Sequence, residues 1–119
     1  MKIAVTSQGT DLDAQVDPRF GRAKYILIID MDDGNLEVLD NAENVNAFKG
    51  AGIQAAASVG DRGADVLLTG YCGPNAFKTL AAAGVKVAND ASGTVREAVA
   101  AFEEGRLTIA DGANVDGHW

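Results

Sequence analysis

Short apolar runs alternate along this chain with joints rich in Gly, Asn and Asp, and the period of each run indicates the element it forms. Ile3–Thr6 is an unbroken apolar and β-branched run, which predicts a strand buried on both faces. The polar stretch Ser7–Asp13 carries no period and opens a long loop that continues through Asp17-Pro18-Arg19-Phe20-Gly21-Arg22. Tyr25–Asp30 and Leu36–Leu39 predict two more strands, and the Asp-Gly-Asn content of Met31–Asn35 predicts an antiparallel hairpin between them.

From there the spacing turns helical. Ile53, Ala56, Ala57 and Val59 recur on one face of a helix from Gly50 to Asp61, with small residues suited to close packing on a sheet. Asp65–Thr69 is the next buried strand. Gly70-Tyr71-Cys72-Gly73-Pro74 turns into a helix over Asn75–Ala83, with Pro74 placed where a first turn tolerates it and Gly84 as the stop. Val85–Ala88 predicts a fifth strand, and Ser92-Gly93-Thr94 precedes a helix from Val95 to Glu104 stopped by Gly105. The order β-β-β-α-β-α-β-α, with right-handed crossovers, predicts one mixed α/β sheet with helices on both faces. This domain spans residues 1–106; Leu107–Trp119 lacks a period and reads as a flexible or loosely docked tail.

Composition narrows the function. A chain of 119 residues suits one domain, and with 6% aromatic residues its core must come from Ala, Val, Ile and Leu. Ten Lys and Arg against 17 Asp and Glu give a net charge of -7, which repels a phosphate backbone and argues against general nucleic-acid binding. A single cysteine, Cys72, excludes an internal disulfide framework and a zinc site with several thiolates. No apolar stretch is long enough for a signal segment or a membrane span, so the expectation is a soluble protein of the reducing cytoplasm, without a membrane role.

Ligands of open α/β sheets favour the crevice beyond the carboxyl ends of the parallel strands. The loops expected there are Ser7–Arg22, Asn41–Gly52, Gly70–Pro74 and Asn89–Thr94. Helix starts in such loops present outward amides and a positive dipole end, so Gly50-Ala51-Gly52 reads either as an anion cradle or as plain helix-sheet turn geometry. No Gly-x-Gly-x-x-Gly dinucleotide fingerprint and no Gly-Lys-Ser or Gly-Lys-Thr phosphate loop is present. Arg19 and Arg22, with Lys24, form the tightest basic cluster. They read as salt bridges to Asp11, Asp13 or Asp17, or as a positive mouth for a compact multivalent anion.

Cys72 sits in a Gly-rich turn before a helix, a setting that lowers a thiol pKa and offers a soft ligand for copper or an iron-sulfur species; as a buried filler it would do neither. The only histidine, His118, stands beside Trp119 in the tail, so no general base is placed to activate the thiol. One thiol and one imidazole cannot close a four-ligand metal site. A ribonuclease H-like nuclease would need inward carboxylates for two divalent ions, and Ile3–Thr6 offers none. No catalytic constellation emerges.

Several motifs occur together: Ile3-Ala4-Val5, Asp17-Pro18-Arg19-Phe20-Gly21-Arg22, Asp40-Asn41, Gly50-Ala51-Gly52-Ile53-Gln54-Ala55-Ala56, Ala64 to Gly70, Gly73-Pro74-Asn75-Ala76-Phe77 and Ala83-Gly84-Val85-Lys86-Val87. This set, spread over nearly the whole chain to about Gly105, resembles the dinitrogenase iron-molybdenum cofactor biosynthesis family. The resemblance implies a ribonuclease H-like three-layer fold with a five-stranded mixed sheet whose second strand runs antiparallel. It also implies non-catalytic binding of an anionic metal-sulfur cluster. The cargo would be a molybdenum-copper sulfide cluster, as in the members from sulfate reducers that this chain resembles most, or the iron-molybdenum cofactor or its precursor, as in nitrogenase carriers. Mapped onto this chain, the residues around the cluster are Arg19, Phe20, Gly21, Arg22, Asn41, Gly50, Gly52, Gly70, Tyr71 and Gly73. Arg19, Arg22 and the helix-start amides would supply charge and hydrogen bonds, while Phe20, Tyr71 and Ile53 would limit water. Cys72 is a candidate metal ligand by its local setting alone. P-loop ATPases are the partners the family suggests, and a cofactor-free role as regulator of such an ATPase is the remaining alternative.

Overall fold

The computed structural model describes residues 1–41 and 51–110. Within them the elements are β1 (Lys2–Ser7), β2 (Tyr25–Asp30), β3 (Leu36–Asp40), α1 (Ala51–Asp61), β4 (Val66–Leu68), α2 (Pro74–Ala82), β5 (Lys86–Ala88) and α3 (Val95–Glu103). The strands form one sheet in the order β3-β2-β1-β4-β5. β2 runs antiparallel to both of its neighbours, whereas β1, β4 and β5 are mutually parallel. This is the mixed sheet with an antiparallel second strand that the element order and the family resemblance predict.

Ile3–Val5 of β1 is apolar without interruption because the strand lies at the centre with both faces covered. Ala4 faces the side of α1 and α2, where it joins Phe20, Ile26, Ile28, Leu67 and Leu80. Ile3 and Val5 face α3, where they meet Leu27, Val66, Leu68 and Val95. β1, β2, β4 and β5 therefore supply alternate residues to two cores, and three layers result. β3 is an edge strand with an exposed-to-half-buried alternation, and its turn is built as the Asp-Gly-Asn signal implies. Gly34 takes φ +77, and the Asp33 carboxylate accepts the Asn35 N–H at 2.8 Å.

The C-terminal ends of the three helices and the starts of α2 and α3 lie within a residue of the positions expected. α2 begins on Pro74 itself, since the missing N–H costs nothing in a first turn. Thr94 and Glu97 close a capping box on α3, and Gly84 and Gly105, at φ +78 and +75, release the chain after α2 and α3. α1 is described from Ala51, so Gly50 lies outside the described residues.

The first residues of the expected tail touch the sheet. Ile109 bridges Ala88, and the Ala110 N–H donates to the Val87 carbonyl at 2.7 Å, which covers the outer edge of β5. Residues 111–119, with His118 and Trp119, lie outside the described residues. No described helix is long and apolar enough to cross a membrane.

Candidate anion-binding site

β3 is antiparallel to β2 and so runs with β1, β4 and β5. Four strands thus end at the same edge of the sheet. The loop after β1 is fastened there by two buried threonines. The Thr6 hydroxyl lies 2.5 Å from the Asp17 carbonyl and 2.9 Å from Thr69 Oγ1. Having one proton, Thr6 donates to the carbonyl and accepts from Thr69, and the Asp17 N–H returns to the Thr6 carbonyl at 2.9 Å.

One step further out, the loop after β1 pairs with the loop after β4. The Tyr71 N–H donates to the Pro18 carbonyl at 2.6 Å, and the Phe20 N–H donates to the Tyr71 carbonyl at 3.1 Å. A Cβ on Gly70 would lie 2.7 Å from the Pro18 Cβ, so only glycine permits this approach. The same loop also rests on α1: Gly21, at φ +93, stacks so closely that a Cβ would meet the Gly52 Cα at 2.8 Å. Asn41, buried at the end of β3, donates from Nδ2 to the carbonyls of Gly21 and Ala23 at 3.2 and 2.8 Å. Arg19–Arg22 are therefore clamped among the ends of β1, β3 and β4 and the first turn of α1.

Arg19 and Arg22 flank this clamp. Arg19 is 49% exposed, and its Nε stands 3.7 Å from the carboxylate of Asp17, whose Oδ1 also accepts the Arg19 N–H at 3.0 Å. The salt-bridge reading is thus met by Asp17, while Asp13 pairs with Arg96 instead. Asp17 is the buried carboxylate that faces Arg19 at this end of the sheet.

The helix starts differ in what they can offer. The first turn of α3 is filled: Val95 and Arg96 donate N–H to the carbonyls of Ala14 and Leu12, both at 2.9 Å, and Glu97 donates to the Thr94 hydroxyl. α2 starts from Gly73 in extended backbone, with no side chain capping it. It keeps its positive dipole end toward the Tyr71 loop.

Two expected side chains play other parts. Phe20 is 1% exposed and plugs the core beneath the loop, so it cannot shield a ligand at the mouth; Tyr71 and Ile53, both partly exposed, remain on the surface. Cys72 points inward as well. It is fully buried against the same core, and burial pushes its thiol up to about 12, which favours the buried-filler reading over that of an acidic thiol at a helix start. Sequence reasoning gave no role to Thr6, Thr69 or Pro18, although Pro18 and Thr69 stand inside motifs that carry the resemblance.

No group of three or more His, Cys, Asp or Glu residues among the described residues could hold a metal ion. The donor set fits an anionic group held by arginine charge and N–H donors, and it does not fit a metal bound through several protein ligands.

Residues 1–105 match the family described as Dinitrogenase iron-molybdenum cofactor. The apo orange protein from Desulfovibrio gigas is a structural relative with TM-score 0.92 and 48% identity over 96% of each chain. A NifB-like protein from Thermotoga aligns with TM-score 0.84 and 40% identity over 98% of each chain. An uncharacterized protein of Methanocaldococcus jannaschii is 26% identical over 110 residues, which is 90% of this chain and 89% of that one.

Proposed function

The chain belongs to the dinitrogenase iron-molybdenum cofactor family, and from that premise we propose that it is a non-catalytic cytoplasmic carrier or store of an anionic molybdenum-copper sulfide cluster. The observation that carries this reading is the clamp that fixes Arg19 and Arg22 at the carboxyl end of the parallel strands of an otherwise acidic protein. The likeness to the orange protein of Desulfovibrio gigas supports it.

Arg19 and Arg22 neutralise the charge of the cluster, and N–H groups near Gly52 and Gly73 donate to its sulfides. Each charge-assisted hydrogen bond is worth roughly 1.5–3 kcal/mol. Gly21, Asn41 and Gly70 act by holding the loops in register, and Phe20 by filling the core under them. Gly50, just before Gly52, belongs to the same proposed cradle. Cys72 stays protonated in the core and is not needed as a ligand. P-loop ATPases remain the partner class suggested by the resemblance.

A second reading is a carrier of the iron-molybdenum cofactor or its precursor, which the family description favours.

Metal analysis with a visible spectrum, on protein purified without oxygen and on apo-protein given tetrathiomolybdate and copper, separates these readings. Stoichiometric molybdenum and copper with sulfide-to-metal charge-transfer bands is the expected result. Iron beside molybdenum would favour the second reading, and rejection of both metals would move the function to that of a cofactor-free ATPase regulator.

A further inference from the structure

The two edges of the sheet are treated differently. The outer edge of β5 is covered by Ile109 and Ala110 and carries Lys86, both common protections against unwanted pairing. β3, at the other edge, has neither proline nor lysine in Leu36-Glu37-Val38-Leu39-Asp40.

The register shows which backbone groups this edge presents. Asp30 N–H donates to the Asn35 carbonyl and Asn41 N–H to the Lys24 carbonyl, so the hydrogen-bonded pairs of the hairpin are 30–35, 28–37, 26–39 and 24–41. Glu37 and Leu39 therefore turn their N–H and C=O toward β2. Leu36 and Val38 turn theirs outward, and no described residue pairs with them.

The same two residues are apolar and each 40% exposed. They lie opposite Ile29 and Leu27, on the α3 face of the sheet. Ile29 in turn lines a mostly apolar groove of about 250 Å³ with Leu12, Met31 and Val99. An apolar strip thus runs from the groove to the β3 edge. Around the edge the charge is acidic: Asp30, Asp33, Glu37, Asp40 and Asp61 line the hollows beside it, against Lys2 and an Arg62 that is paired with Glu37.

We infer that the β3 edge is a docking site for an extended, basic segment of a partner protein, which adds a sixth strand beside Leu36 and Val38. Backbone pairing at these two residues supplies the register, alternate apolar side chains of the segment cover the Leu36–Val38 strip, and its Lys or Arg residues meet the acidic rim. A second copy of this chain is the wrong occupant. Antiparallel self-pairing about Val38 sets Asp40 against Leu36 and Glu37 against Leu39, and joins two bodies that each carry a net charge of -7.

The test uses the full chain and an end-blocked peptide of about eight alternating lysines and valines, the length of an ordinary strand. A glutamate-valine peptide is the control. The readouts are amide exchange at Leu36 and Val38 and a binding titration. Both amides should exchange freely in the lone chain and become protected on adding the lysine-valine peptide, while the glutamate-valine peptide does nothing. Val38→Pro removes only an outward N–H, so it should leave the β2–β3 ladder intact and weaken binding about tenfold. Val38→Lys, which keeps that N–H but adds a repelling charge, should weaken binding too. Protection of these amides in the lone dilute chain, protection that grows with protein concentration, or equal binding by the parent and both variants would each overturn the inference.

Discussion

Gly21→Ala isolates the contact that fixes the arginine loop on α1. Two costs fall on this position. Its φ of +93 is one that an L side chain adopts at a cost of about 1–2 kcal/mol. The added Cβ would also lie 2.8 Å from the Gly52 Cα, 2.9 Å from the Gly52 N and 3.3 Å from the Ala51 carbonyl carbon. These are backbone atoms in the first turn of a packed helix and cannot swing aside, so overpacking adds about 1–3 kcal/mol. The sum, about 2–5 kcal/mol, is a large share of the 5–15 kcal/mol ordinary for a domain. Gly34→Ala is the internal reference, because its φ of +77 carries the same kind of strain with nothing within 4 Å of the new Cβ. In urea unfolding followed by far-ultraviolet circular dichroism, Gly21→Ala should lower the midpoint by about 1–2 M at an ordinary slope, and clearly more than Gly34→Ala. Unfolding free energies for the two variants within about 0.5 kcal/mol of each other would refute the steric half of the argument and, with it, the claim that Gly21 sets the height of the arginine loop over α1.

Cys72→Ala should leave molybdenum and copper retention unchanged, and in the parent the thiol should react with an aromatic disulfide reagent only after unfolding. Because its folded pKa is raised from 9.0 to about 12, the folded state holds the thiol proton longer, so stability should fall as pH rises from about 9 toward 12, a slope that Cys72→Ala should reduce. Thr94→Ala should cost about 1 kcal/mol in thermal or urea unfolding through loss of the α3 cap. The Glu97 carboxyl is held below its ordinary 4.5 by the Thr94 backbone N–H and then by the Thr94 side chain, so its contribution is present above that value and is lost as pH falls through the lowered one. Glu97→Gln and the parent should accordingly differ most near neutral pH and converge in acid.

Legibility in the sequence followed the range of the forces involved. Elements set by period or by a single local rule were readable: the doubly buried β1, the Asp-Gly-Asn hairpin, and the glycine stops at Gly84 and Gly105. The clamp was not, because it consists of backbone and hydroxyl contacts between segments far apart in the chain, such as Pro18 with Tyr71 and Thr6 with Thr69, and these leave no periodic trace. Phe20 and Cys72 failed for a related reason. In a loop nothing in the pattern fixes which way a side chain turns, and both turn inward because the space beneath the loop, bounded by Leu67 and Ala76, is apolar. The arginines could be picked out from charge alone, since three cations within six residues of an acidic chain are conspicuous wherever they lie. The docked start of the tail rests on one bridge at Ile109 and one hydrogen bond from Ala110, too short a pattern to register as an element.

The pairing of Arg19 with Asp17 determines how the charge argument for cluster retention must be tested. Asp17 is buried, and its carboxylate is satisfied by the Arg19 N–H and by the guanidinium at 3.7 Å. Replacing Arg19 with glutamine therefore removes a positive charge from the mouth and at the same time leaves a buried carboxylate less well compensated, which costs folding stability in its own right. A fall in metal retention by Arg19→Gln alone would mix the two effects. Asp17→Asn keeps a carbonyl oxygen able to accept the Arg19 N–H while removing the buried charge. In a cycle of Arg19→Gln, Asp17→Asn and the double variant, the folding penalty should shrink in the double variant, whereas the retention loss should persist there if the arginine acts on the cluster. Adding Arg22→Gln should deepen that loss, since two charge-assisted contacts of roughly 1.5–3 kcal/mol each amount to about a hundredfold or more in affinity. Retention that tracks folding stability through the whole series would mean that these arginines hold the loop and not the cluster.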